Sequence, residues 1–262
     1  MKRLLFFLAS VVVFTSLSMY AFAGTIPAST EEITLPANPT LELDARGAVE
    51  IVGDNSTTLR VMNKNSSLES ASKDWKDLYS LDKTTLGARL KVYSDDRLPK
   101  GIKVLVPTNT QIIIESKKGT VSLENLKGSL SGTIKKASLS ILKHQGAIDI
   151  KMKSGLLQIN EFSGDGKDIS VDAKEGKIVI SVAAIAPGAA IIKMAKGDVK
   201  LSIARKTKIA IDASVLEKGL VSTNLSLNRP YPKSLFITAN GGTFSWDIEV
   251  KIGNISVNLP QP

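Results

Sequence analysis

Six times in the middle of this chain, lysine stands one or two residues before a glycine or alanine. The sites are Lys117-Lys118 before Gly119, Lys135-Lys136 before Ala137, Lys153-Ser154 before Gly155, Lys174-Glu175 before Gly176, Ala195-Lys196 before Gly197 and Glu217-Lys218 before Gly219. A lysine recurring at one structural position makes a column of ammonium groups, and such a column attracts polyanions through summed charge rather than shape. Lys118, Lys136, Lys153, Lys174, Lys196 and Lys218 are therefore the candidate binding residues. The ligand class they imply is a polyanion, such as lipopolysaccharide phosphate, teichoic acid or an acidic glycan. Lysine at an exposed turn also keeps strands soluble, which requires no ligand.

Other chemistry is sparse. His144 is the sole histidine, in Leu142-Lys-His-Gln145, and no nucleophile elbow accompanies it. It reads as a solvated turn residue. Asp165-Gly-Lys-Asp168 is the tightest carboxylate group and could face a calcium ion, but turn chemistry explains it as well. With no cysteine, the chain has no thiol nucleophile, thiolate metal site, disulfide or lipidated-cysteine anchor. No phosphate-binding loop or dinucleotide fingerprint is present. The reading is no catalytic residue, no metal and no cofactor.

The elements that must position the lysines follow from the glycines. Gly119-Thr-Val-Ser-Leu123 is echoed by Ala137-Ser-Leu-Ser-Ile141, Gly155-Leu-Leu-Gln-Ile159, Gly176-Lys-Ile-Val-Ile180, Gly197-Asp-Val-Lys-Leu201 and Gly219-Leu-Val-Ser-Thr223. The starts lie 18, 18, 21, 21 and 22 residues apart. Two-residue alternation nested in a period near 20 predicts an all-β fold, a parallel β-solenoid with coils of about 18–22 residues. Upstream of each corner a second alternating run begins, as in Ile112/Ile114 and Ile148/Ile150/Met152. The pattern predicts two strands per coil around a tight turn, their inward residues stacking as aliphatic ladders. Gly119, Gly155, Gly176, Gly197 and Gly219 are the expected structural turns, and Ala137 implies a turn of another type.

The flanking regions complete the plan. Lys2-Arg3, the apolar run Leu4–Leu17 and Ala21-Phe-Ala23 predict a signal peptide over residues 1–23, cleaved after Ala23. No other stretch is long and apolar enough to span a membrane. Export to the periplasm, the cell surface or the medium is the expectation. Residues 24–39 read as a linker, 40–110 as N-terminal strands with a capping helix over Ser67–Leu81, 111–224 as regular coils, and 225–262 as terminal coils with a C-terminal cap. The helix rests on Ala71, Trp75 and Leu78 sharing one face. The whole sequence of 262 residues carries 34 Lys+Arg against 25 Asp+Glu, and residues 111–224 hold 18 basic and 11 acidic residues, so the excess charge lies in the repeats.

Val104-Leu-Val-Pro107, followed by Ile112-Ile-Ile-Glu115 and the glycine array, resembles the adhesin-domain family DUF4097, related to head-GIN autotransporter-adhesin-like domains. The likeness runs from about Leu41 to Leu259. It implies a β-helical fold, an exported location and an adhesin-like role, and it supplies no catalytic residue. The lysine richness and Ala137 depart from the family pattern. The expected function is non-enzymatic binding or structure in the bacterial envelope, with a polyanion or another envelope protein as partner. Nucleic acid is not expected, because no aromatic residues interleave with the lysines. The rival is a carbohydrate-active enzyme, lyase or glycosidase, on the same scaffold. Paired carboxylates about 5–10 Å apart in a cleft would favour it.

Overall fold

The computed structural model describes residues 31–64, 78–93, 101–224, 233–242 and 244–260. Within these residues the chain is all β. Five long strands form the centre: β8 (Gln111–Glu124), β9 (Leu130–Leu142), β10 (Ile148–Phe162), β11 (Ile169–Val182) and β12 (Ala190–Ile203). They pair in parallel, in order, as successive coils of a β-helix-like stack. The sequence leads one to expect two strands per coil, yet each of these is a single strand bent at its middle. Buried residues in β8 are Ile112, Ile114 and Ser116 before the bend, then Val121 and Leu123 after it. The alternation changes parity across residues 117–120, so one strand turns a corner and keeps its apolar side inward.

Glycine makes that corner. Gly119, Gly155, Gly176, Gly197 and Gly219 have φ of 94°, 133°, 136°, 136° and 134°, which disfavours any residue with a Cβ. The coils also touch there: a Cβ on Gly176 would fall 2.1 Å from the Gly155 carbonyl oxygen. Ala137 keeps an ordinary φ and still stacks in register between Gly119 and Gly155, so the ladder passes through it unbroken.

A second corner follows the strand. Asn125, Lys143 and Glu161 are left-handed there, with φ of 54–56°. The chain then crosses a short third side whose inward residues stack as Leu126, His144 and Phe162, the last in register with Val182, joined by bonds such as Gln145 N–H to the Leu126 carbonyl and Ser163 N–H to the His144 carbonyl. The core is thus a triangular prism of aliphatic ladders.

Coil order at both ends differs from sequence order. The first coil in sequence, β2 (Thr40–Ala45) and β3 (Val49–Asp54), packs directly on β8. The next, β6 (Gly87–Val92) and β7 (Ile102–Pro107), lies outside it. Antiparallel strands then close this end: β5 (Tyr79–Thr84) on β6, β4 (Thr58–Asn63) on β7, and β1 (Glu31–Thr34) on β4. The other end mirrors it. β13 (Ile209–Lys218) and β14 (Val221–Thr223) form the outer coil, and β16 (Ser245–Ile252) with β17 (Ile255–Asn258) is inserted between them and β12. An antiparallel β15 (Ser234–Ala239) covers β13. Antiparallel end strands limit further parallel addition, which an open solenoid end invites.

Most of the expected capping helix, and all of the expected signal peptide, lie outside the described residues. The last part of the proposed helix, Tyr79–Leu81, is strand in β5, because Tyr79 and Leu81 pair with Val92 and Leu90 on the end coil. Glu31–Thr34, placed in the expected linker, is strand β1. Among the described residues no helix is long and apolar enough to cross a membrane.

Candidate functional site: the lysine ridge

The glycine corner turns the residues before it outward, and register then decides which lysines meet. Lys118 pairs with Lys136, and Lys136 with Ser154. Further along the same column, Glu175 pairs with Lys196, Lys196 with Ile252, and Ile252 with Lys218. Lys153 and Lys174 lie one residue earlier, in a parallel column with Lys117 and Lys135. The expected single ladder is therefore two columns side by side. The inserted C-terminal coil puts Ile252 between Lys196 and Lys218, so Lys218 stands apart from the rest.

The lysines are not equivalent. Lys117 Nζ is 3.0 Å from Asp44 Oδ2 and 3.7 Å from Glu115 Oε1, and Lys135 Nζ is 2.9 Å from the same Glu115 oxygen. Lys196 Nζ is 3.5 Å from Glu175 Oε1. Lys118, Lys136, Lys153 and Lys174 are exposed and have no ion-pair or hydrogen-bond partner among the described residues. These four run diagonally along the corner over four successive coils, at strand spacings of about 4.8 Å. Two such charges about 5 Å apart repel by roughly 0.8 kcal/mol in water. A bound anion relieves that repulsion. Gly119, Gly155 and Gly176 carry no side chain beside the ridge, so a ligand can lie close against the backbone.

The outer faces on either side differ in charge. Before the corner, cations and carboxylates alternate across strands, with Arg89 bound to Glu42 at 2.6 Å. An open groove of about 400 Å³ lies here, lined by Glu42, Asp44, Arg89, Lys91, Ile113 and Glu115 among others. Its carboxylates face cations. The hydrogen bond from Lys135, aided by Lys117, holds Glu115 below the usual carboxylate range, opposite in direction to what a general acid needs. After the corner the face is neutral around the middle coils. Thr120, Ser122, Ser138 and Ser140 point outward, and their hydroxyls have no protein partner among the described residues.

The other candidates fall differently. His144 is not a solvated turn residue. It is 1% exposed, stacked between Leu126 and Phe162, and neither ring nitrogen makes a hydrogen bond. Burial lowers its pKa to about 4, and the nearby Ala147 and Gly146 backbone pulls in the other direction. The spacing that betrays this burial is in the sequence: Leu126, His144 and Phe162 are 18 residues apart. Asp165 and Asp168 are turn residues, as the alternative reading had it. Their Oδ1 atoms accept the Ala186 and Ala189 N–H groups of the next coil, each at 3.0 Å. No group of three or more metal-ligating side chains forms among the described residues. Asp212 and Asp247 are register partners missed in the sequence, and both stand exposed on an open sheet face.

No family model matches this chain, and no curated protein matches it. Among solved structures, the chain aligns with a "putative cell adhesion protein" from Clostridium sporogenes at 12% identity and a TM-score of 0.35, covering 88% of this chain and 99% of that one. It also aligns with a "putative adhesin" from Bacteroides fragilis at 12% identity and a TM-score of 0.36, covering 89% and 99%.

Proposed function

We propose that this is an exported, non-enzymatic β-solenoid of adhesin-like type that holds an anionic polymer of the bacterial envelope along its glycine corner. One observation carries the reading: Lys118, Lys136, Lys153 and Lys174 form a contiguous exposed row with no counter-charge among the described residues, beside lysines that have one. The resemblance to the DUF4097 adhesin domains and the N-terminal export signal support the location and the role. The paired carboxylates of the groove are occupied by cations, which favours binding over hydrolysis.

The test is retention on immobilised polygalacturonate and on immobilised polyphosphate. Changing Lys118, Lys136, Lys153 and Lys174 together to Gln abolishes retention on at least one of them. Changing Lys117 and Lys135 to Gln removes charges that are already paired and costs far less retention than changing Lys118 and Lys136 to Gln, a set of equal size in the same two coils. Equal losses from these two pairs would show that bulk charge, not the unpaired row, does the binding. Retention on nucleic acid as strong as on either resin would make the ridge a general anion surface.

A further inference from the structure

The C-terminal coil is out of order, and its placement has a chemical consequence. β12 and β13 are consecutive along the chain, yet the strand hydrogen-bonded to both is β16. β17 likewise joins β12 to β14. The glycine column records the same order: a Cβ on Gly253 would fall 1.6 Å from the Gly197 carbonyl oxygen, and one on Gly219 would fall 1.6 Å from that of Gly253. The inserted segment is keyed by side chains as well as by ladders. Trp246 is fully buried and donates from Nε1 to the Gly188 carbonyl at 3.0 Å. Asn254 donates from its backbone N and its Nδ2 to Asp198 Oδ1 at 3.0 and 3.1 Å. Asn224 and Leu259 exchange two hydrogen bonds of 2.6 and 2.8 Å.

Until residues 244–260 are seated, β12 on one side and β13 with β14 on the other present open strand edges to an empty slot. Every copy of the chain has the same slot and the same key. A segment supplied by another copy makes the same ladders and the same side-chain bonds, so exchange sacrifices no contact in the slot. It costs association entropy, which concentration offsets. The turn that leads into it is defined: Asn240 and Gly241 are left-handed, at φ 53° and 64°, Asn240 Nδ2 donates to the Arg205 and Thr207 carbonyls, and Gly242 lies against the backbone at Ile209. Exchange of an identical element between copies is a low-cost route to a dimer, because only the connection has to change its path.

We infer that the slot between β12 and β13 accepts the C-terminal coil of a second copy of this chain, two chains exchanging residues 244–260 reciprocally to form a dimer. The absence of cysteine makes the test clean. Lys200 on β12 and Ser256 on β17 are register partners on the outer face. Strand neighbours lie within the Cα separation a disulfide needs. Chains carrying only Lys200→Cys are mixed with chains carrying only Ser256→Cys, unfolded, refolded together and oxidised. The expected product is a covalent heterodimer whose ratio to monomer rises about tenfold for each tenfold rise in chain concentration. The double variant in one chain, refolded dilute, closes an internal disulfide. Heterodimer no more abundant than the random dimers of Lys200→Cys alone, with the double variant still closing internally, overturns the exchange. Failure of the double variant to close overturns the inserted register, and the inference with it.

Discussion

Replacing His144 by Leu should stabilise the protein and remove much of its acid sensitivity above pH 4.5. The imidazole is buried between Leu126 and Phe162 with both nitrogens unpartnered, and no charged side chain offsets its burial. Each unmet buried polar group costs about 1–3 kcal/mol, so Leu at this position gains about that much at pH 7. The pH effect has a definite sign. The folded-state pKa is about 4, below the ordinary value of 6.5. The unfolded chain therefore binds a proton that the folded chain refuses, and stability falls as pH drops from 6.5 toward 4. A gap of about 2.5 pH units at about 1.4 kcal/mol each comes to about 3 kcal/mol once pH 4 is reached. For a chain of this size that is a fall in Tm of about 6–12 °C. Glu50, Asp54 and Glu115 are all held below their ordinary values, so their contributions persist down to about pH 5 and do not mask the histidine. Thermal melts of the wild type and His144→Leu from pH 7 to 4.5 should diverge steadily as pH falls. A constant offset between the two curves would refute a neutral, buried imidazole.

Two further outcomes follow from the corner and the inserted coil. Gly176→Ala should cost about 3 kcal/mol or more, since a strained φ of about 1–3 kcal/mol adds to a collision with the Gly155 carbonyl, whereas Gly166→Ala, with φ 64° and no atom within 4 Å of the added Cβ, should cost only about 1–2 kcal/mol; denaturant melts distinguish them. Trp246→Ala should cost about 3–5 kcal/mol, and Trp246→Phe about 1–3 kcal/mol through the abandoned Gly188 carbonyl, with near-ultraviolet circular dichroism reporting whether the last coil stays seated.

The ladders were readable because two-residue alternation leaves a half-buried strand little choice of face. Ile148, Ile150 and Met152, then Leu157 and Ile159, are inward as their spacing requires. The parity change was readable too, since a glycine sits between the two runs. Coil order was not. Any unit of glycine followed by alternating aliphatics can stack on any other, and the partners Ile192–Ile248 and Ala213–Ile248 are interchangeable to local pattern. The keys that distinguish the true neighbours are the buried Trp246 and the exposed Asn254–Asp198 and Leu259–Asn224 bonds, which act across 58, 56 and 35 residues of sequence. The lysines were visible one by one, but their division into paired and unpaired sets depends on Asp44, which the inserted first coil brings from 73 residues away. The antiparallel β1 and β5 lie in segments whose alternation is weak, and their role as end covers is set by the coils they meet.

The most direct test of the lysine ridge is the salt dependence of binding to soluble polygalacturonate, measured for the wild type and for the variant with Lys118, Lys136, Lys153 and Lys174 changed to Gln. Each ammonium that displaces a counterion from a single-stranded polyanion contributes about 0.7 to the slope of log affinity against log salt. The account predicts a slope shallower by about three in the variant, with lower affinity at every salt concentration. An unchanged slope with intact folding would contradict it.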